Sequence, residues 1–224
     1  MIPLRKTACI ILPIVTLLSL GSCNRPKTDT WPSGKKRSEI MIRDGKYEGP
    51  ATYWFENGRI ETTCAFHNNV LEGELRTYYP SGKLKAEEHY RNGKLHGNVR
   101  TWDRQGALAT ESNYRDGILH GRYQEFYPNK SPKAEGTYDN GTNDGLWLYY
   151  DQEGNIVGEG NFDRGTGVQK VFYWDGKLKM LTHYRKNLKD GDEIFYATTG
   201  KIMVINTFGD GKLIRKQVLD GGKK

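Results

Sequence analysis

Few residues in this chain are of types that could do chemistry, and their spacing argues against most reactions. The histidines are His67, His89, His96, His120 and His183. His96 and His120 lie 24 residues apart, which in a strand array puts them two strands, or about 10 Å, from each other. Zinc ligands sit at about 2 Å from the metal, so that pair cannot share an ion, and no Cys-x-x-Cys or His-Glu-x-x-His spacing occurs. Glu87, Glu111, Glu135 and Glu159 form a regular column, at a separation that paired glycosidase carboxylates also use. Acid–base pairs need two carboxylates in different environments, whereas a repeating column offers the same one each time. The expectation is a solvated ladder facing Lys85, Lys133 and Lys179. Cys64 reads either as a nucleophile or as a small apolar filler, and filler is the preferred reading. There is no phosphate loop, G-x-S-x-G or dinucleotide fingerprint. The sequence therefore predicts no catalytic residue, metal site or cofactor, and no small-molecule substrate.

The elements that would position these residues are set by a repeat. Gly49, Gly73, Gly97, Gly121 and Gly145 are each 24 residues apart; Gly167 follows after 22, and Gly191 resumes the step. A second column runs Gly34, Gly58, Gly82, Gly106, Lys130, Gly154, Gly176 and Gly200. Five residues after the first glycine stands an aromatic: Trp54, Tyr78, Trp102, Phe126, Tyr150, Phe172, Tyr196. Another stands 17 after it: Phe66, Tyr90, Tyr114, Tyr138, Phe162, Tyr184, Phe208. Four columns kept in step over seven units define the architecture.

Turn signals divide each unit into two strand-length runs. Asn92-Gly93, Asp116-Gly117 and Asn140-Gly141 are strong hairpin dipeptides, because both positions tolerate positive φ. Alternation puts Ile60, Thr62, Cys64 and Phe66 on one face, as it does Leu108, Thr110, Ser112 and Tyr114. Lys85, Glu87 and His89 take the other. The predicted fold is all-β: an open, single-layer antiparallel meander of about seven 24-residue β-hairpin repeats. The array is expected over residues 31–215, since Trp31-Pro32-Ser33-Gly34-Lys35 matches Tyr79-Pro80-Ser81-Gly82-Lys83. A basic tail is expected over 216–224.

Composition agrees with short strands and turns. The chain has 27 Gly and 12% aromatics, while apolar residues reach only 36%; counting glycine brings that to about half, as in ordinary globular domains. Residues 1–22 read as an export signal: Arg5 and Lys6, then an apolar run from Ala8 to Leu20, too short for an ordinary spanning helix. Losing them lowers the formal charge from +7 to +5. The run ends in Leu20-Gly21-Ser22-Cys23, which resembles a bacterial lipobox, so Cys23 is the expected lipidation site and 23–30 a tether. The alternative is an ordinary signal cut after Ser22, leaving Cys23 a plain thiol. With Cys9 lost and Cys23 acylated, Cys64 remains alone and no internal disulfide can form. An exported chain of mild charge is not expected to bind nucleic acid.

Units such as Tyr90-Arg91-Asn92-Gly93-Lys94-Leu95-His96-Gly97 resemble MORN repeats, in the variant found in bacterial antitoxin-like and lipoprotein sequences. The turn glycines carry over as Gly45, Gly93, Gly117, Gly141 and Gly165; Asn69, Asn187 and Lys130 depart from the columns. The resemblance implies a MORN-like solenoid acting as a non-catalytic scaffold. The functional expectation is a membrane-tethered scaffold of the bacterial envelope, binding a protein, polymer or lipid. In the resembling lipoproteins the residues after the Cys direct sorting, and Asn24-Arg25-Pro26-Lys27 points to the outer membrane, facing the periplasm. The alternative is an antitoxin or immunity-type protein that neutralises a specific toxin. The aromatic column from Trp54 to Tyr196 serves first for packing and is the candidate binding face.

Overall fold

The computed structural model describes residues 25–219. It is one 19-stranded sheet. The chain enters through β1 (Arg25–Thr30), β2 (Lys36–Arg43), β3 (Lys46–Trp54) and β4 (Ile60–His67). Next come β5 (Val70–Leu71), β6 (Gly73–Tyr78), β7 (Leu84–Arg91), β8 (Lys94–Leu95) and β9 (Gly97–Trp102). Then follow β10 (Leu108–Arg115), β11 (Ile118–Phe126), β12 (Pro132–Asp139), β13 (Thr142–Tyr150) and β14 (Ile156–Asp163). The sheet ends with β15 (Thr166–Phe172), β16 (Leu178–Arg185), β17 (Leu188–Tyr196), β18 (Ile202–Gly209) and β19 (Lys212–Val218). Strands pair antiparallel with the next along the chain, as in β3 with β4, β10 with β11 and β17 with β18, except that the short β5 shares β4 with β6 and the short β8 shares β7 with β9. The predicted open meander is what forms.

Two boundaries differ from expectation. Residues 25–30, expected in a tether, form β1 and pair with β2 from Arg25–Ile42 to Thr30–Lys36. Residues 216–218, expected in the tail, complete β19 and pair with Asn206, Ile205 and Val204. In both places a backbone of extended polar residues gains ladder hydrogen bonds by continuing the sheet, although no repeat signature marks it. The export signal, Cys23 and residues 220–224 lie outside the described residues.

The hairpins follow the glycine columns. Asp116 (φ 51) and Gly117 (φ 88) are successive left-handed residues, the geometry of a type I′ turn whose twist suits the strands. Asn69 (φ 67), Asn187 (φ 63) and Lys130 (φ 71) hold the same conformation in place of glycine. The Lys130 turn closes normally, with Lys130 N donating to Tyr127 O at 2.8 Å. Hairpin tips stack on one another: Gly117 N donates to Leu95 O at 2.7 Å and Gly141 N to Leu119 O at 2.8 Å.

After each such turn a full-length unit carries a bulge. Tyr114 pairs with Leu119, but Ser112 pairs with Tyr123, so two extra residues are accommodated around Gly121, whose φ is 98. The shortened unit has none of this. From Asp163–Thr166 to Gly158–Val171 the β14–β15 register runs without a shift. The two residues absent from this unit are the bulge.

One sheet face, here called inner, carries the buried row. Ala51, Cys64, Leu75, Val99, Ser112, Trp147, Thr182 and Glu193 are all buried. Ile40, Ala51, Cys64 and Leu75 form a cluster with Tyr47, Tyr53, Phe66 and Tyr90 packed against it. Cys64 thus sits in the packed row, as a filler. The aromatics 17 residues after each glycine are part of this packing: Phe66 lies 5.6 Å from Tyr47, and Phe162 lies 5.8 Å from Tyr184. The deepest large side chain of the middle units is Trp147, 3% exposed.

Candidate interaction face

The opposite, outer face carries the aromatic column proposed for binding. Trp54, Tyr78, Trp102, Phe126, Tyr150, Phe172 and Tyr196 all lie half-buried there, each the last residue of its strand. This corrects the expectation that Trp102 belongs to the packed core: the buried positions come three residues earlier, at Ala51, Leu75, Val99 and Trp147. Register explains the difference. In β3, Tyr53 pairs with Thr62 while Trp54 pairs with Ile60, and the shift between them sets Trp54 apart from the inner row.

Every second column residue is buttressed from the preceding unit. The hydroxyls of Tyr79, Tyr127 and Tyr173 donate to the carbonyls of Trp102, Tyr150 and Tyr196 at 2.8, 2.9 and 2.7 Å. Trp31 Nε1 donates in the same way to Trp54 O at 3.0 Å. In alternate units Asp103 and Asp151 take that position and cap their own turns, accepting from the N–H groups of Gln105 and Ala107, and of Glu153 and Asn155. Sequence reasoning missed this 48-residue alternation, although it is written in the residue that precedes each Pro-, Arg-, Gln- or Trp-led turn.

Beside the aromatics runs the carboxylate ladder, and its partners differ from those expected. Arg76 pairs with Glu87 at 3.1 Å, Arg100 with Glu111 at 2.9 Å, Arg122 with Glu135 at 3.7 Å and Lys170 with Glu159 at 2.9 Å. Arg76, Arg100 and Lys170 stand directly across the strand pair from their carboxylates, which is the closer geometry, while Arg122 reaches Glu135 on the diagonal. Lys85, Lys133 and Lys179 instead lie over the rings of Tyr79, Tyr127 and Tyr173. Burial raises the Glu111 carboxyl, but bonds from Arg100 and Asn98 outweigh it and hold the group below the usual carboxylate range. Tyr150 donates to Glu135 at 2.6 Å, and that bond, with some burial, pushes its hydroxyl up to about 12.

The histidines sit along the hairpin tips or on the outer face. His96 Nδ1 lies 3.4 Å from Asp116 and His120 Nδ1 3.3 Å from Asp139, so each faces a carboxylate of the following hairpin. Among the described residues no three His, Cys, Asp or Glu side chains converge as a metal would require. One shallow depression of the surface is lined by Arg43, Lys46, Glu48 and His67. Sequence reasoning also missed Trp174, which stands 96% exposed at a loop tip, because it falls in a column otherwise occupied by Pro, Glu, Arg, Gln and Thr.

A family model described as a MORN repeat variant matches residues 71–92, 119–140 and 143–164. The second and third windows start 24 residues apart, in phase with the glycine columns. The chain carries MORN-variant repeats. No curated protein matches it. Among solved structures, a GtfA/B complex bound to UDP and GlcNAc is similar at 14% identity over 50% of this chain and 22% of that one, with a TM-score of 0.24. A TcdB2-TccC3-Cdc42 structure is similar at 9% identity over 81% of this chain and 12% of that one, with a TM-score of 0.23. Likenesses this slight carry nothing about fold or function. The MORN-variant array is a scaffold fold: it presents one chemical pattern, aromatic beside ion pair, again and again along an extended face.

Proposed function

We propose that this chain is a non-catalytic interaction scaffold of the bacterial envelope, anchored by lipid on Cys23 and binding an extended partner along its outer face. The observation that carries the reading is the repetition of half-buried aromatics from Trp54 to Tyr196 on one face, buttressed in several units by the tyrosine of the unit before. Successive units stand about 10 Å apart along the sheet, so a long partner meets the same contact at each step. Aromatic side chains supply large contact area at low entropic cost. Small-molecule sites, by contrast, are concave and few. The lipobox and the short apolar run before it support the anchor.

The test fractionates cells carrying wild-type chain or Cys23→Ser. The wild type should be found with the outer membrane, and Cys23→Ser should accumulate as precursor or leave the membrane. Mature Cys23→Ser that still sediments with membranes would end the tether reading. In the same extracts, cross-linking from the outer face should capture an envelope component with the wild type. A single stoichiometric toxin as the captured species would replace the scaffold reading with the neutralising one.

A further inference from the structure

The two ends of the sheet are built differently. Among the described residues β1 pairs with β2 alone and β19 with β18 alone, so each leaves one edge unpaired. The β1 edge reads Arg25-Pro26-Lys27-Thr28-Asp29-Thr30. It has a proline, charges and no large apolar side chain, the usual means of keeping an edge from recruiting another strand. The β19 edge is charged too, but it has no proline and carries large apolar side chains. Its seven residues, Lys212-Leu213-Ile214-Arg215-Lys216-Gln217-Val218, are all exposed. Leu213 is 54% exposed, and Ile214 and Val218 are each 69% exposed.

The backbone of β19 is also presented for pairing. Leu219 N donates to Met203 O at 2.8 Å, and antiparallel ladders alternate residue by residue between inward and outward backbone groups. Gln217 therefore turns its N–H and C=O to β18, while Lys216 and Val218 turn theirs to the open edge. The charges point the same way. Among the described residues Lys212, Arg215 and Lys216 make no ion pair, in contrast to Arg76, Arg100, Lys170 and Arg185. Lys216 stands opposite Asn206 on the inner side, and Arg215 opposite Thr207 on the outer side. Cations thus flank both sides of the open edge.

We infer that β19 is a docking edge for an extended, acidic segment of a protein partner, which adds to the sheet as a further strand. Main-chain bonds to Lys216 and Val218 would supply the pairing. Carboxylates beside Lys212, Arg215 and Lys216 would neutralise the unpaired cations, and alternate apolar side chains would cover Leu213, Ile214 and Val218. A second copy of this chain fits the edge poorly, because two β19 strands would set three cations against three. This inference goes beyond the outer-face reading and does not depend on it.

The test uses the full chain and two labelled ten-residue peptides, one alternating Val and Glu and one alternating Val and Lys, followed by fluorescence anisotropy. The Val–Glu peptide should bind, and binding should weaken steeply as salt rises. The Lys212→Glu/Arg215→Glu/Lys216→Glu chain should lose about tenfold or more in affinity for it and gain affinity for the Val–Lys peptide. Val218→Pro removes an outward N–H without touching the β18 ladder and should weaken binding while circular dichroism shows the sheet intact. Equal binding by wild-type and charge-reversed chains, or none at millimolar peptide, overturns the inference. So does self-association abolished by Val218→Pro, or binding of phosphatidylglycerol vesicles without the peptide. Hydrogen exchange at Lys216 and Val218 as slow as in β18 would show the edge already covered, and would overturn it too. None of these outcomes alters the result of the envelope fractionation.

Discussion

Trp147 is the residue whose truncation should do most harm. Its indole is 3% exposed and lies against Gly136, where an added Cβ would fall 2.2 Å from ring atom Cδ2. The rings of Tyr138, Tyr123 and Tyr149 surround it at 5.0, 5.7 and 6.4 Å, and Nε1 donates to Thr137 O at 3.1 Å. Trp147→Ala removes roughly 150–200 Å² of buried apolar surface, about 4–5 kcal/mol at ~25 cal/mol/Å². The lost N–H bond adds about 1 kcal/mol, and reduced burial in the unfolded chain subtracts a similar amount. Its ladder partner Gly160 and neighbour Gly136 have no side chains with which to refill the space. The expected cost is therefore about 4–5 kcal/mol, at the upper end for a core aromatic. Trp102, half-exposed on the outer face, should cost about 1–2 kcal/mol on the same scale. Gly136→Ala should act through the same ring, forcing it aside at about 1–3 kcal/mol. Urea unfolding followed by far-ultraviolet circular dichroism would rank the three. Because repeat arrays can open unit by unit, hydrogen exchange should show the Trp147→Ala loss centred on β11 to β15. A Trp102→Ala variant as unstable as Trp147→Ala would refute the assignment of inner and outer faces.

Two further perturbations read other parts of the structure. Asn187 Oδ1 accepts from Asn143 N at 3.0 Å and Nδ2 donates to Gly141 O at 3.2 Å; Asn187→Gly keeps the left-handed turn, so loss of about 1–2 kcal/mol with faster exchange at Asn143 would isolate the side chain, and unchanged exchange would show that the bridge contributes nothing. At high pH, burial pushes the Tyr149 hydroxyl up to about 12, and the Glu135 bond does the same for Tyr150. Their folded values stand above the ordinary 10.0, so their contribution is intact below pH 10 and is lost as pH rises through about 12. Unfolding should follow in that window and narrow in Tyr150→Phe; tyrosinate absorbance rising near pH 10 with circular dichroism unchanged would contradict it.

Most of the fold was legible because it rests on residues that few alternatives can replace. Asp116-Gly117 and its equivalents announce turns with two left-handed residues, and strand alternation fixes Thr62, Cys64 and Phe66 to one face. Even the missing pair of residues before Gly167 was visible, but its meaning was not. Only the register showed that a bulge had been removed and that Asn187 now reaches across to Gly141 and Asn143. The buried row was less legible, because the column of Ala51, Leu75, Val99, Tyr123 and Trp147 keeps neither residue type nor size. The conspicuous Trp54–Tyr196 column drew the eye instead. β1 and the end of β19 were missed for the same reason: extended polar residues carry no repeat signature, and pairing is settled by the neighbouring strand.

Equal spacing does not give these units equal interiors. Along the inner row Leu75 and Val99 give way to Tyr123 and Trp147, and then to Gln169 and Glu193. Glu193 is buried, and a carboxylate there needs partners; Lys189, Asn206 and Thr182 supply them. The outer face changes in the opposite sense. Arg76, Glu87, Arg100 and Glu111 hold its middle with ion pairs, whereas Leu181, Ile194 and Ile205 stand in direct cross-strand register near β19. The backbone therefore repeats while the chemistry of each face drifts along the array. The Glu87-to-Glu159 column gives way to Leu181 at its next position, and Glu193, in the inner row, lies in a different environment. For a scaffold this drift has a consequence: a partner lying along the outer face meets a direction as well as a period, passing from an ion-paired middle to an apolar stretch near β19. Recognition of that kind specifies orientation without requiring any single unit to form a pocket.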